Sequence, residues 1–404
     1  MSCCSTSPFG FAFDSPAAAL DALLARVKPV GRERVPLALA AGRVLADPIV
    51  ADRPSPACDV SAMDGYAIRE ADLKPGPIAV AGDIAIGVEP PAMPTEAALR
   101  IVTGAPVPAG VHAVIKREDV IEHADHIEVA DRAMATATPG ANIRYRGENC
   151  AAGAALAPAG TLITPPCVGT LATVGVVEPW VFRRVRVAVL VTGDEVLPPE
   201  AVPEPWQLRD SNGAALAALL GRHGWIEAVL HPRVPDHEDA IRSAFDAALA
   251  ESDAVVCTGG VSMGAKDYVP SVVREAGADI VFHRLPQKPG KPALGAVKDG
   301  KPILGLPGNP VSVLVTGRRL ALPTLAARSG RRSFAPAPRV RLANADGKTL
   351  TIWWHRPVRL TGAGEAELIQ TMGSGDIPSI ATSDGFVEIP PGDAGDGPFA
   401  FYGW

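Results

Sequence analysis

The sequence predicts a multidomain α/β plus β protein. It has a central doubly wound α/β domain, an N-terminal discontinuous α/β domain carrying an inserted β domain, and a small β-barrel-like C-terminal domain. Three observations predict this. A chain of 404 residues, 47% apolar, exceeds one ordinary domain and can fill several cores. Between residues 183 and 329, continuous apolar runs alternate with amphipathic helical stretches, the pattern of a parallel sheet covered on both faces. Residues 46–145 and 330–404 instead carry short alternating runs parted by turn residues, as small β domains do. The remaining segments, 1–45 and 146–182, each hold a helical stretch and together predict one domain built from two separated pieces.

The elements follow in order. Asp14-Ser15-Pro16 before AAALDALLARV starts a helix, with Ser15 as cap and Pro16 in the first turn. PIAVAGDIAIG and HAVIKREDVIEHADHIEVA read as strands, and CVGTLATVGV as the second N-terminal helix. In the α/β region RVAVLVTG is a buried strand, and Asp210-Ser211-Asn212 caps the helix GAALAALLGRHG. WIEAVLHPRV is a second strand, HEDAIRSAFDAALAES a helix, and DAVVCTG a third strand running into a Gly-rich loop. PILGLPGNP ends a fourth strand and opens the helix VSVLVTGRRLALPTLAA. PAPRV, TIWWHRPVRL and DGFVEIP supply alternating strands at the C-terminus.

Composition narrows the function. A net charge of −6 argues against a nucleic-acid partner, while local amides and a few cations can still hold a small anion. Forty Gly and forty Pro without a period indicate many turns rather than a fibre. The cysteines Cys3, Cys4, Cys58, Cys150, Cys167 and Cys257 show no CxxC spacing, so reduced thiols are expected rather than zinc or a disulfide framework. The first basic residue is Arg26, unlike a signal peptide, and no apolar run approaches the roughly 20 residues of a membrane span. A cytoplasmic protein without a membrane partner is expected.

Three loops fall at strand carboxyl ends, where doubly wound sheets bind ligands. They are Thr192-Gly193-Asp194-Glu195, Thr258-Gly259-Gly260-Val261-Ser262-Met263-Gly264-Ala265-Lys266-Asp267 and Pro307-Gly308-Asn309-Pro310. Glycines let backbone N–H groups approach an anion, and a helix N-terminus adds free donors. Glu195 and Asp267 supply carboxylates suited to Mg²⁺. The pattern is neither GxGxxG nor GxxxxGK[ST], which excludes those two nucleotide-binding readings. Lys288-Pro289-Gly290-Lys291-Pro292 reads in isolation as an exposed basic turn. Beside three anion-binding loops it reads equally as a clamp for a tetrahedral oxyanion. Ser61-Ala62-Met63-Asp64-Gly65-Tyr66-Ala67, Val102-Thr103-Gly104-Ala105-Pro106-Val107-Pro108 and Arg144-Tyr145-Arg146-Gly147-Glu148-Asn149 read from their residues as turns and a solvated surface.

In this order, SAMDGYA, VTGAPVP, NIRYRGEN, VTGDE, CTGGVSMGAKDY, KPGKP and LPGNPVS resemble the molybdopterin molybdenumtransferases, the MoeA family that includes the E domain of gephyrin. The resemblance runs from the first helix to GSGDIPSIATSDGFVEIP. It implies a molybdopterin-binding-like central domain, and four domains: 1–45 with 146–182, 46–145, 183–329 and 330–404. It also implies a homodimer whose cleft is shared between subunits, with Asp64, Glu195, Asp267 and Asp236 as catalytic acids.

Substrate contacts are implied for Thr103, Thr192, Gly193, Asp210, Asn212, Gly259, Gly260, Ser262, Gly264, Pro307, Gly308, Asn309 and Pro310. Molybdate contacts are implied for Lys288, Lys291, Arg356 and Ser374, and Mg²⁺ as cofactor on Glu195 and Asp267 with Asn149. The implied substrates are adenylylated molybdopterin and molybdate. The adenylyltransferase and recipient molybdoenzymes are candidate partners. Adenylylation of the pterin and a non-catalytic dimeric scaffold are the rival readings. One position departs from the family, which usually reads GED where this chain has Gly147-Glu148-Asn149. An amide there brings an oxygen ligand but no charge.

Overall fold

The computed structural model describes residues 11–262, 264, 267–332 and 336–404. Cys3, Cys4 and, within the second loop, Met263, Ala265 and Lys266 lie outside the described residues. The chain forms two compact units, one of Pro48–Pro158 with Thr170–Val176 and one of Met1–Asp47, Ala159–Gly169 and Val177–Trp404.

The unit with Pro48–Pro158 is built on a six-stranded sheet. Its order is Ala113–Lys116, Gly65–Ile68, Ala97–Ile101, Pro77–Asp83, His126–Val129, Val120–Glu122. Period-two alternation feeds both faces. Tyr66, Ile68, Ile115 and Ile127 fill one cluster, and Ala67, Leu99, Ile101 and Val114 the other. Gly65 begins the second strand in that order, where a Cβ would lie 1.9 Å from the carbonyl oxygen of Ile115 on the neighbouring strand. That close approach fixes the turn before it, which carries Asp64.

In the second unit, helix Pro16–Leu24 starts where the sequence placed it: Ser15 Oγ accepts from Ala18 N at 3.1 Å, with Pro16 in the first turn. The α/β sheet has strands β1 (Val185–Val191), β2 (Ile226–Leu230), β3 (Ala254–Thr258), β4 (Asp279–His283), β5 (Leu294–Lys298) and β6 (Lys301–Leu306), in the order β2-β1-β3-β6-β5-β4. The first four in that order are parallel, β5 is reversed beside β6, and β4 pairs antiparallel with β5 and so runs with the first four. The sequence reading had four parallel strands. It missed β4 and β5 because they form an excursion between glycine turns, without the strand–helix alternation that marked the others.

The two faces are covered by α1 (Ser211–Gly221), α2 (Glu238–Glu251), α3 (Val269–Glu275), α4 (Pro310–Thr316) and α5 (Leu322–Arg328). Successive β1 residues serve opposite faces: Val187 and Val189 join one core, Ala188 and Leu190 the other. The single helix read after PILGLPGNP is interrupted by one wide π turn at Gly317–Ala321. That turn places Arg319 inward, 6% exposed.

At the C-terminus, β7 (Arg339–Leu342), β8 (Trp353–Gly362), β9 (Glu365–Leu368), β10 (Gly385–Ile389) and β11 (Phe399–Gly403) pair in the order β8-β9-β7-β11-β10, and β10 pairs back to β8. The ring closes, so its strands leave no open edge. Gln287–Lys288 adds to β8 in parallel, joining the basic turn to the barrel wall. No described helix is long and apolar enough to cross a membrane.

Candidate active site

The register of the parallel strands aligns their carboxyl ends. Val191 lies opposite Thr258, and Thr258 opposite Leu306, so the first, second and third loops leave the sheet side by side. Backbone bonds tie them: Thr192 N donates to Thr258 O at 3.0 Å and Gly259 N to Leu306 O at 3.2 Å. The first turn of α1 stands on this crest. Asp210 caps the helix, its Oδ1 accepting from Gly213 N at 2.8 Å. Asn212 Nδ2 reaches Thr258 Oγ1 at 3.2 Å and Gly308 O at 2.8 Å. Gly259 has φ +90°, and a Cβ there would sit 2.6 Å from Thr192 Oγ1. Two buried atoms, Thr192 Oγ1 and Asn212 Oδ1, have no hydrogen-bond partner among the described residues. Such atoms are costly without one, so the crest suits a polar ligand that supplies it.

The acids of these loops are placed by the same turns. A Cβ on Gly193 would meet the Glu195 carboxylate at 3.0 Å, so that carboxylate folds back over the glycine. Arg233 Nη1 donates to Gly193 O at 3.0 Å, and Asp236 N donates to Asp194 Oδ1 at 3.2 Å. Asp236 is thereby drawn to the first loop, through its backbone. In the second loop Asp267 Oδ2 accepts from Gly264 N at 2.6 Å and closes the turn, while Ser262 is exposed. Glu195 and Asp267 are hard oxygen donors of the kind Mg²⁺ takes.

The third loop leads into a cavity of about 470 Å³. Its wall brings together Lys288, Lys291, Arg356 and Ser374 with Pro307 and Asn309. Asn309 Nδ2 donates to Ser374 Oγ at 2.8 Å and Val311 N to Ser374 O at 3.0 Å, so α4's first turn fixes the serine. Arg356 lies flat on Trp354, 4.3 Å from the ring centre. Asp346 grips it with both oxygens, at 2.7 and 2.8 Å. Hydrogen bonds from Arg356 hold the Asp346 carboxyl far below its ordinary range.

The sequence reading missed what lies under this cavity. His355, fully buried on β8, donates Nε2–H to Glu388 Oε2 on β10 at 3.0 Å, and Arg319 Nε donates to the same oxygen at 2.7 Å. Burial alone would raise the Glu388 pKa, but the His355 hydrogen bond and the Arg319 charge hold it at about 2. Burial lowers the His355 pKa against the raising pull of Glu388. No local pattern marks this: the barrel core takes Val358 on one strand and Val387 and Ile389 on the other, so His355 and Glu388 lie on the opposite phase, buried where the barrel wall meets Val311 and Val315 of α4.

In the other unit, Asp64 and Thr103 meet. Asp64 Oδ1 accepts from Thr103 N at 2.7 Å and Thr103 Oγ1 at 2.8 Å, bonds that lower its pKa. Asn149 sits in its own network. Its Oδ1 accepts from Arg144 Nη2 at 2.5 Å and its Nδ2 donates to Ser55 Oγ at 3.2 Å. The oxygen expected to face a metal therefore already holds a guanidinium.

A doubly wound sheet with three glycine-bearing loops at its carboxyl edge, and a cavity lined by lysines and an arginine beside the third, has the donors and charge that suit a small anion. Comparison with known proteins carries this further. Residues 15–175 match the MoeA N-terminal region (domain I and II), and residues 188–327 the probable molybdopterin binding domain. A molybdopterin molybdenumtransferase of Synechococcus elongatus is 34% identical, over 93% of this chain and 95% of its own. One from Haemophilus influenzae is 34% identical, over 77% and 76%. Two crystal structures of the molybdopterin biosynthesis MoeA protein of Pyrococcus horikoshii superpose with TM-scores of 0.77 and 0.78, at 30% and 27% identity. They cover 96% and 97% of this chain and 99% and 98% of theirs. The chain belongs to the molybdopterin molybdenumtransferase family.

Proposed function

We propose that this protein inserts molybdenum from molybdate into adenylylated molybdopterin with release of AMP, the last step of molybdenum-cofactor biosynthesis. The single observation that carries the reading is the meeting of Lys288, Lys291, Arg356 and Ser374 around one cavity beside the third glycine loop. Molybdate and a dithiolene are both anionic, and their approach is opposed by repulsion. Fixed cations lower that cost, and positioning by itself contributes on the order of 7 kcal/mol. Thr192, Asn212 and the glycines of the three loops hold the phosphates. Asp210 sets the helix end that Asn212 extends.

Glu195 and Asp267 would hold Mg²⁺, which neutralises charge on the anhydride when bound. Asn149, bonded to Arg144, shapes its turn instead. Asp236 positions the first loop through Asp194. No protein nucleophile is assigned. Asp64 and Thr103 act from the partner subunit of a homodimer, in a four-domain arrangement of 1–45 with 146–182, 46–145, 183–329 and 330–404. The likeness to the family supports this, and mixing Asp64→Ala with Glu195→Ala subunits tests it by restored activity.

The function itself is tested by supplying purified protein with adenylylated molybdopterin and molybdate. AMP release that depends on molybdate is expected, and Lys288→Ala with Lys291→Ala should raise the molybdate needed at least tenfold. Activity with free molybdopterin and ATP instead would make it an adenylyltransferase. No turnover with either would favour the scaffold.

A further inference from the structure

The outward face of one hairpin carries a donor set that the reaction above does not use. Strand alternation places it. Ile127 and Val129 of His126–Val129 point into the core, so His126 and Glu128, two residues apart, share the opposite face. His123 N donates to His126 O at 2.9 Å, closing the hairpin and setting the two histidines side by side. Their rings stack with centroids 4.3 Å apart and 11° between planes. His123 Nε2 lies 3.8 Å from Glu128 Oε1. One ligand atom from each of His123, His126 and Glu128 lies within 4.8 Å of the other two, the one such group of three among the described residues.

We propose that His123, His126 and Glu128 form a binding site for a late divalent transition metal of the Zn²⁺ class, distinct from the Mg²⁺ carboxylates Glu195 and Asp267. Two imidazoles and one carboxylate are the ligands such ions select, while Mg²⁺ prefers oxygen alone. Asp125 supplies the supporting interaction. Its Oδ1 lies 2.7 Å from His126 Nδ1, and an ionised carboxylate can only accept, so the proton sits on Nδ1. The lone pair of Nε2 is left for the metal, the arrangement in which a carboxylate orients a metal-binding histidine. Tetrahedral zinc wants ligand atoms about 3.4 Å apart, and half-exposed side chains close the remaining gap by small rotations. Water completes the shell. Val120–Glu122 is an edge strand, paired on one side by His126–Val129. A metal spanning His123 and Glu128 clips that edge at its turn.

The test uses full-length protein stripped with chelator and titrated with Zn²⁺ by calorimetry in excess Mg²⁺. One equivalent of Zn²⁺ is expected. Its affinity should fall at least tenfold in His123→Ala, His126→Ala and Glu128→Ala, and about tenfold in Asp125→Asn. Bound Zn²⁺ should slow amide exchange at Val120–Glu122. With Cu²⁺ as a spectroscopic probe, nitrogen hyperfine structure from two imidazoles should appear and be lost in either histidine variant. Unchanged zinc stoichiometry and affinity in the His123→Ala/His126→Ala double variant would overturn the proposal, because the ligands would then lie elsewhere in the chain. Glu195→Ala leaves this site intact, so failure here is separable from failure of the Mg²⁺ assignment.

Discussion

Replacing Glu388 tests whether the cavity floor rests on one buried charge. The Arg319 and Glu388 side chains are 7% and 9% exposed, and His355 is 0% exposed. Glu388→Ala leaves the Arg319 guanidinium with no counter-charge in a desolvated place, a loss of about 3–5 kcal/mol. A second route gives a similar figure. A carboxyl moved from its ordinary 4.5 to about 2 by folding contributes about 3 kcal/mol at neutral pH. The sign follows from the depressed folded pKa: this stability is present above 4.5 and lost as pH falls from there through about 2.

His355 acts in the same direction at higher pH. It is buried with its pKa below the ordinary 6.5, so its contribution declines as pH falls below 6.5. Urea denaturation at neutral pH should therefore show a lower midpoint for Glu388→Ala with an unchanged slope. Glu388→Gln, which removes the charge and keeps the shape, should flatten the acid limb between 4.5 and 2. Arg319→Met combined with Glu388→Leu should recover most of the loss, since an apolar pair replaces an ionic one with no orphaned charge. A Glu388→Ala protein within 0.5 kcal/mol of the parent would refute the reasoning.

Three further outcomes are expected. Glu195→Ala and Asp267→Ala should keep the melting temperature while AMP release falls at least 100-fold, about 2.7 kcal/mol of transition-state stabilisation; early melting would return both acids to a structural role. Asn149→Asp should pair with Arg144 in place of the amide, a surface interaction worth about 0–1 kcal/mol, so Mg²⁺ titrations of AMP release should superimpose. A shift to lower Mg²⁺ would make the residue a metal ligand after all. Gly259→Ala puts a Cβ 2.8 Å from Thr192 O at φ +90°, which should cost about 1–3 kcal/mol and splay the first two loops, read as lower stability together with weaker AMP binding.

Local chemistry was legible in the chain because it depends on neighbours in sequence. Ser15 and Asp210 cap their helices through bonds spanning three residues. The runs Val185–Val191 and Ala254–Thr258 announce buried strands by apolar continuity, and the glycines that follow them announce the tight loops at the strand ends. Alternation likewise announced strands at the C-terminus, while their closure into a ring rests on the pairing of β10 back to β8.

What needed the tertiary structure was set by separations of tens to hundreds of residues. Nothing near Leu294–Lys298 shows that it must run against the other strands, because its direction is decided by its pairing with β6 on one side and β4 on the other. The cavity beside the third loop assembles residues from 287 to 374, and its arginine proves to be held by Asp346, ten residues away on another segment. Arg319, His355 and Glu388 look unrelated in the sequence, yet a π turn and two barrel strands bury them against one another. Patterning along a chain records what each residue wants from solvent. Which distant partner satisfies a buried charge is decided when the elements pack, since the cost of leaving it unpaired is felt only there.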